Sequence, residues 1–255
     1  EDPSNAELVL KMLGLPPLGT GTPDAFVRAD LSLDRVCTPA YAALPPPDGE
    51  QPLVTILICT YNRAHLILDA INSARIQTWP REIIVVNDGS DDGTQELLDT
   101  LDGTDGIRVI HQENGGKPTA LNTGIAQATG EALLVLDDDD KLMPGALHTL
   151  ATALFAEPLA GCIIGDTIVF DGQTHAPLKY HPATRVGPGT TEHMVVQNIP
   201  GLPGASLIRR STQRTAGHYD PKLIRGQDMD MYLRLSRGGD IRGLPLPTFW
   251  YRSHD

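Results

Sequence analysis

Four consecutive carboxylates, Asp137 to Asp140, follow the unbroken apolar run Ala132–Leu136. Side by side, such charges repel and raise one another's pKa unless something positive neutralises them. A hard divalent cation carrying a phosphate ligand is a matching neutraliser, since Mg²⁺ takes one or two carboxylates and fills its shell with phosphate oxygens and water. The same run also fits a solvated acidic turn, or a helix start decorated with Asp. Upstream, Lys117 follows Gly115-Gly116. There a cation and free backbone N–H groups meet at a helix start, which suits an anionic ligand. A glycine turn with a surface lysine is the plain alternative.

The elements that must hold these residues follow from periodicity. Leu53–Cys59, Glu82–Val86, Ile107–His111 and Ala132–Leu136 read as buried strands. Helical stretches over about 64–77, 94–101 and 118–128 separate them. That alternation predicts an α/β chain with a parallel sheet and right-handed crossovers. Tyr61, Asp88, Lys117 and the Asp137–Asp140 run then share one rim, at the strand ends where open α/β sheets bind ligands. Beyond Pro144 we expect a helix over Ala146–Phe155, a strand over Cys162–Phe170 and a hairpin turn at Asp171-Gly172. Long covering loops over 172–205, a short strand Ala205–Arg209, a helix over Asp228–Ser236 and a Pro-broken extended segment Leu244–Tyr251 follow. Residues 1–50 alternate short apolar pieces with Pro and Gly. They read as an arm or linker with one short helix over Ala6–Leu13.

With 255 residues, the chain can bury a substantial core. Its net charge of −12 argues against a nucleic-acid binder that works by phosphate neutralisation, and against attachment to anionic lipid by charge alone. Three scattered cysteines, the lack of a bilayer-length apolar run and the lack of a signal pattern lead to the expectation of a cytoplasmic protein. Peripheral membrane association stays open. The first residue is not Met, so a processed or excised fragment is expected.

Six pieces in order resemble the family 2 glycosyltransferases, from about residue 53 to 254. They are Cys59-Thr60-Tyr61-Asn62-Arg63, Val85-Val86-Asn87-Asp88-Gly89-Ser90, and Asn114-Gly115-Gly116-Lys117 with Ala120-Leu121-Asn122. The others are Leu136 with Asp137–Asp140, Gln227-Asp228-Met229-Asp230 and its helix, and Tyr251-Arg252-Ser253-His254. The resemblance implies a GT-A fold, a Rossmann-like mixed sheet with a parallel nucleotide-binding half at about 51–145 and an acceptor half at about 146–255. It implies an inverting hexosyltransferase that uses a nucleotide-diphosphate sugar, most simply a UDP-sugar, a hydroxyl-bearing acceptor, and Mn²⁺ or Mg²⁺.

On that basis Asp228 is the catalytic base that takes the acceptor's proton. Without the resemblance it would be a helix N-cap. Thr60, Tyr61, Arg63, Asp88, Lys117, Asp137 and Asp138 form the nucleotide-binding set. Asp88 can accept from a uracil or thymine N3–H, and Tyr61 can stack on the ring. Asp139 is the metal ligand with His254 beside it, and imidazole suits Mn²⁺ better than Mg²⁺. Alternation along an extended chain points Asp138 away from its neighbours, and Asp140 is expected to cap the following turn. Gly201 to Ser206 resembles the family's acceptor-side loop. This sequence departs from the pattern at Gln227, where relatives carry Glu, and at Leu121, where many carry Arg. A GT-A-like nucleotidyltransferase and a catalytically silent sugar-nucleotide-binding module are the alternatives. The glycine-free loop after the first strand disfavours the former, and the intact acidic run and Asp228 the latter.

Overall fold

The computed structural model describes residues 51–183 and 202–254. The expected arm over 1–50, its helix and the stretch 184–201 lie outside the described residues. Strand β1 (Val54–Thr60) is buried at all but Cys59. A run of apolar, largely β-branched residues with both faces covered belongs at the centre of a parallel sheet. It pairs in parallel with β2 (Arg81–Asn87) and with β4 (Ala132–Asp137), and β3 (Ile107–His111) extends the sheet beyond β2. Helices α1 (Ile67–Arg75), α2 (Thr94–Asp99) and α3 (Lys117–Gln127) make the crossovers. The register sets Thr60 beside Asn87, Asn87 beside His111 and Cys59 beside Asp137. The strands therefore end together, and their loops meet on one rim, as expected.

Past the rim come β5 (Lys141–Leu142), α4 (Ala146–Ala156), β6 (Ala160–Asp171), β7 (Pro177–His181), α5 (Leu202–Ala205), β8 (Ser206–Arg209), α6 (Arg210–Ala216), α7 (Gln227–Leu235) and β9 (Asp240–Ser253). Antiparallel β8 lies between β4 and β6 and joins the two halves into one mixed sheet, ordered β3-β2-β1-β4-β8-β6-β9-β5, with β7 on β6. Trp79 fastens the first half of the sheet to α4. Its ring stacks on Phe155 with centroids 6.1 Å apart, and its indole N–H donates to the Pro52 carbonyl at 2.8 Å.

Three expectations need correction. Part of the expected 172–205 loops is strand β7, antiparallel to β6. The hairpin turn is longer than Asp171-Gly172: the Asp171 carboxylate accepts from the N–H groups of Gln173 and Thr174 before β7 begins. The segment read as broken by proline is the long strand β9, parallel to β6. Its pairing steps from Leu244 opposite Gly165 to Pro247 opposite Asp166, so Pro245 falls in a bulge where no ladder donor is required. None of β5, α5 and α6 was expected. No helix among the described residues is long and apolar enough to cross a membrane.

Candidate active site

The first two rim loops are laced together by side chains. Asn62 adopts a left-handed φ of 54°, which Asn tolerates better than most residues. Its N–H donates to Ser90 Oγ at 2.9 Å, and its Oδ1 accepts the Asp91 N–H at 2.8 Å. Tyr61 is left 49% exposed beside this junction, free to present its ring, while Thr60 is buried at the strand end. Asp88 is buried as well, and its work in the structure is to hold the glycine loop. Its Oδ1 accepts from Gln112 Nε2 at 2.7 Å and the Gly115 N–H at 2.9 Å, and its Oδ2 accepts the Gly116 N–H at 2.8 Å. A carboxylate has about four lone-pair sites, so acceptor capacity remains on Oδ2. At Gly89 (φ +75°) a Cβ would lie 2.8 Å from the Asn114 nitrogen, so only glycine lets the two loops close.

The acidic run sits in the middle of the rim. Asp137, Asp139 and Asp140 each place a carboxylate oxygen within 4.8 Å of the others. Metal–oxygen bonds of roughly 2.0–2.2 Å hold two ligand oxygens at most about 4.4 Å apart, so small side-chain shifts would let the three residues hold a hard divalent ion. Lys117 Nζ lies 2.7 Å from Asp137 Oδ1. Burial works against its charge, but Asp137 and then Asp228 outweigh that and hold it as an ammonium. Asp139 faces Arg63 Nη1 at 3.7 Å and His254 Nε2 at 2.8 Å.

Asp138 is partly buried, and its carboxyl is pushed up to about 6, chiefly by burial. The Thr60 hydroxyl and Arg63 oppose the shift, while Asp139 and Asp137 add to it. Asp140 is the correction here. It does not cap the turn that follows. It is 1% exposed, belongs to the cluster, and accepts the Arg252 N–H at 2.7 Å. Burial first, and Asp137 next, raise its carboxyl well above the ordinary range. Strand alternation hid it, because the chain turns immediately after Asp137.

Asp228 enters from the second half. Helix α7 starts after Gly226, whose φ of +75° makes the turn, and Gly226 is the N-cap. Asp228 is therefore not the cap that a sequence-only reading allows. Its Oδ1 is buried with no hydrogen-bond partner among the described residues. Burial raises its carboxyl pKa, Lys117 opposes the rise and Asp137 adds to it. The acidic run and Asp228 thus share one electrostatic neighbourhood, centred on Lys117.

Tyr219, which gave no sequence signal, lies in the same neighbourhood. It is buried and within electrostatic reach of Asp228, Lys117 and Asp137. Its backbone is pinned to α3 by Asn122, whose Nδ2 donates to the Tyr219 carbonyl and whose Oδ1 accepts its N–H, both at 2.8 Å. Asn122 closes the family-like stretch after the glycine loop, and this contact gives it a task. Leu121, where many relatives carry Arg, is core. Gly204 of the expected acceptor loop packs against Phe249, and Gly201 lies outside the described residues.

The family model described as "Glycosyl transferase family 2" matches residues 55–213. An uncharacterized glycosyltransferase of Rickettsia felis is 32% identical over 199 residues, 74% of this chain and 32% of its own length. Poly-beta-1,6-N-acetyl-D-glucosamine synthase of Staphylococcus aureus is 29% identical over 208 residues, 77% of this chain and 49% of its own. The chain thus spans about a third and about half of these two relatives. Among solved structures, S. aureus TarS 1-349 in complex with UDP-GlcNAc matches with a TM-score of 0.66 at 18% identity, covering 79% of this chain and 59% of that one. The mannosyltransferase PcManGT from Pyrobaculum calidifontis, in complex with GDP-Man and Mn²⁺, gives 0.59 at 20% identity, covering 89% and 66%. At such identities the likeness is one of fold, and the fold is GT-A.

Proposed function

The chain belongs to glycosyl transferase family 2, and from that premise we propose that it moves a sugar from a nucleotide-diphosphate sugar to an acceptor hydroxyl with inversion at the anomeric carbon. The observation that carries this reading is the buried Oδ1 of Asp228, without a hydrogen-bond partner among the described residues and held in the electrostatic field of Lys117 and Asp137. A carboxylate lone pair kept dry and unused beside a cationic, phosphate-suited loop is what a general base awaiting a hydroxyl proton requires.

In this reading Tyr61 stacks on the base, and the remaining lone pair of Asp88 takes an N3–H, which favours a uracil or thymine nucleotide. Lys117 and Arg63 face the diphosphate. Asp137, Asp139 and Asp140, with His254 beside Asp139, would hold Mn²⁺ or Mg²⁺, which supplies Lewis-acid stabilisation of the leaving diphosphate. Asp228 accepts the proton of the attacking hydroxyl from the face opposite the leaving group. Its raised pKa strengthens it as a base. The UDP-GlcNAc held by TarS and the GDP-Man and Mn²⁺ held by PcManGT support a sugar-nucleotide donor and a divalent cation here.

The test is release of nucleoside diphosphate from a panel of UDP-, dTDP- and GDP-sugars with simple glycoside acceptors, with Mn²⁺ or with EDTA, and NMR of the anomeric proton. Metal-dependent turnover of one donor with inverted product is expected. A retained configuration would overturn the proposed single displacement.

A further inference from the structure

Arg252 takes no part in the reaction just described, yet it is 4% exposed and among the most heavily engaged side chains near the rim. Its guanidinium lies over the Phe170 ring, 4.8 Å from the centroid. Nη2 donates to Asp69 Oδ2 on α1 at 2.9 Å, and Nη1 reaches the Gly172 carbonyl at 3.4 Å. Nε donates to the backbone carbonyl of Asp139 at 2.6 Å, and the Arg252 N–H donates to Asp140 Oδ1 at 2.7 Å.

An arginine beside an acidic cluster would ordinarily neutralise it by binding carboxylates directly, as Lys117 does with Asp137. Arg252 does otherwise. Its side chain holds the main chain of Asp139 and leaves that carboxylate to His254 and Arg63, and its hold on Asp140 is one backbone N–H on one oxygen. We propose that Arg252 is a positioning residue for the cation site. It fixes the Asp137–Asp140 loop in the conformation that points three mutually repelling carboxylates at one spot, before any cation arrives to offset the repulsion.

Three observations support the assignment. The guanidinium is itself immobilised from several sides, by Asp69 from the first half of the chain and by Phe170 and Gly172 from the second, so it can act as a rigid brace. The fit is close: a Cβ at Gly172 would stand 3.0 Å from the Ser253 carbonyl and 3.2 Å from Arg252 Cγ. His254, two residues on, meets Asp139 from the same strand end, so one backbone segment sets both the brace and the imidazole. A lysine cannot replace the brace, because a single ammonium cannot span the Asp139 carbonyl and the Asp69 carboxylate as a planar five-donor fork does.

This inference rests on the cation site proposed above, and its test separates the two. Mn²⁺ is titrated into the full chain, with free Mn²⁺ read by electron paramagnetic resonance, for the wild type, Arg252→Lys and Asp69→Ala. Partners that orient metal ligands typically carry about 10–100-fold in affinity. We expect a loss in that range for Arg252→Lys. Asp69→Ala, which removes only the outer prop of the brace on a half-exposed helix face, should lose roughly several-fold with its melting temperature unchanged. If the wild type binds Mn²⁺ and both variants bind it equally well, the brace is refuted and the cation site stands. If the wild type does not bind Mn²⁺, the cation site itself falls. Should Arg252→Lys fail to fold, Asp69→Ala alone decides, because a purely structural role of the brace would leave its Mn²⁺ affinity intact.

Discussion

Replacing Asp228 by Asn keeps the shape of the side chain and removes the basic lone pair. Among the described residues, the carboxylates nearest to it in sequence and in charge are already engaged. Asp230 is two residues along α7 and is held by Arg234 at 2.6 Å, and Asp137 is held by Lys117 at 2.7 Å. General-base catalysis contributes about 10²–10⁴-fold, equivalent to roughly 2.7–5.5 kcal/mol of barrier. We expect kcat to fall across that range for Asp228→Asn. Nucleotide-diphosphate affinity should stay within about threefold, since the variant touches neither the Asp88 loop nor the carboxylate cluster. The pH profile gives a second handle. Because burial raises the Asp228 pKa above its ordinary 3.8, the acid limb of wild-type kcat should lie above that value, with activity rising as pH climbs through it. The limb should vanish in the variant. Steady-state release of nucleoside diphosphate and calorimetric binding of the same nucleotide measure the two quantities separately. An equal loss of binding and turnover, or a variant that turns over normally, would refute the base assignment.

The remaining predictions concern the metal, the core and acid stability. Asp139→Ala should abolish the Mn²⁺-dependent part of nucleotide affinity, measured calorimetrically, and unchanged affinity in Mn²⁺ would sink its role as ligand. Gly204→Ala should cost about 1–3 kcal/mol or more by overpacking, because the new Cβ would stand 1.9 Å from Cε2 of the fully buried Phe249; denaturant unfolding measures it. Glu82 binds the Thr55 and Thr129 hydroxyls and the Thr129 and Gly130 N–H groups, at 2.6, 2.9, 2.6 and 3.1 Å. Burial pushes its carboxyl up, but these hydrogen bonds together win and hold it below its ordinary 4.5. The lowered folded pKa means that its stabilisation is present above about 4.5 and is lost as pH falls through the folded value. Glu82→Gln should therefore be less stable by about 1–2 kcal/mol at neutral pH, and the two unfolding curves should converge in acid.

The first, parallel half of the sheet was legible because its signals are local. Runs such as Thr55-Ile56-Leu57-Ile58 and Leu133-Leu134-Val135-Leu136 are too apolar for any place but a covered strand, and each ends in a polar loop. The second half was less so. Pro245 and Pro247 spell a broken strand, and only the bulge opposite Gly165 and Asp166 shows how β9 accommodates them. The rim loops, Asp137, Asp139 and Asp228 stand out by motif order. Asp140, Tyr219, Asn122 and Arg252 take their roles from contacts across long stretches of sequence, such as Arg252 with Asp69 and Asn122 with Tyr219. No periodicity or spacing encodes such pairings.

The most direct test of the central claim is a calorimetric titration of UDP, dTDP, GDP and ADP into the chain, each with Mn²⁺ and with EDTA. The site described here predicts that a uracil or thymine nucleotide binds, that the adenine and guanine nucleotides bind more weakly or not at all, and that EDTA removes most of the affinity. Binding that ignores the metal, or no binding of any of the four, would contradict a sugar-nucleotide site built on Asp88, Lys117 and the Asp137–Asp140 cluster.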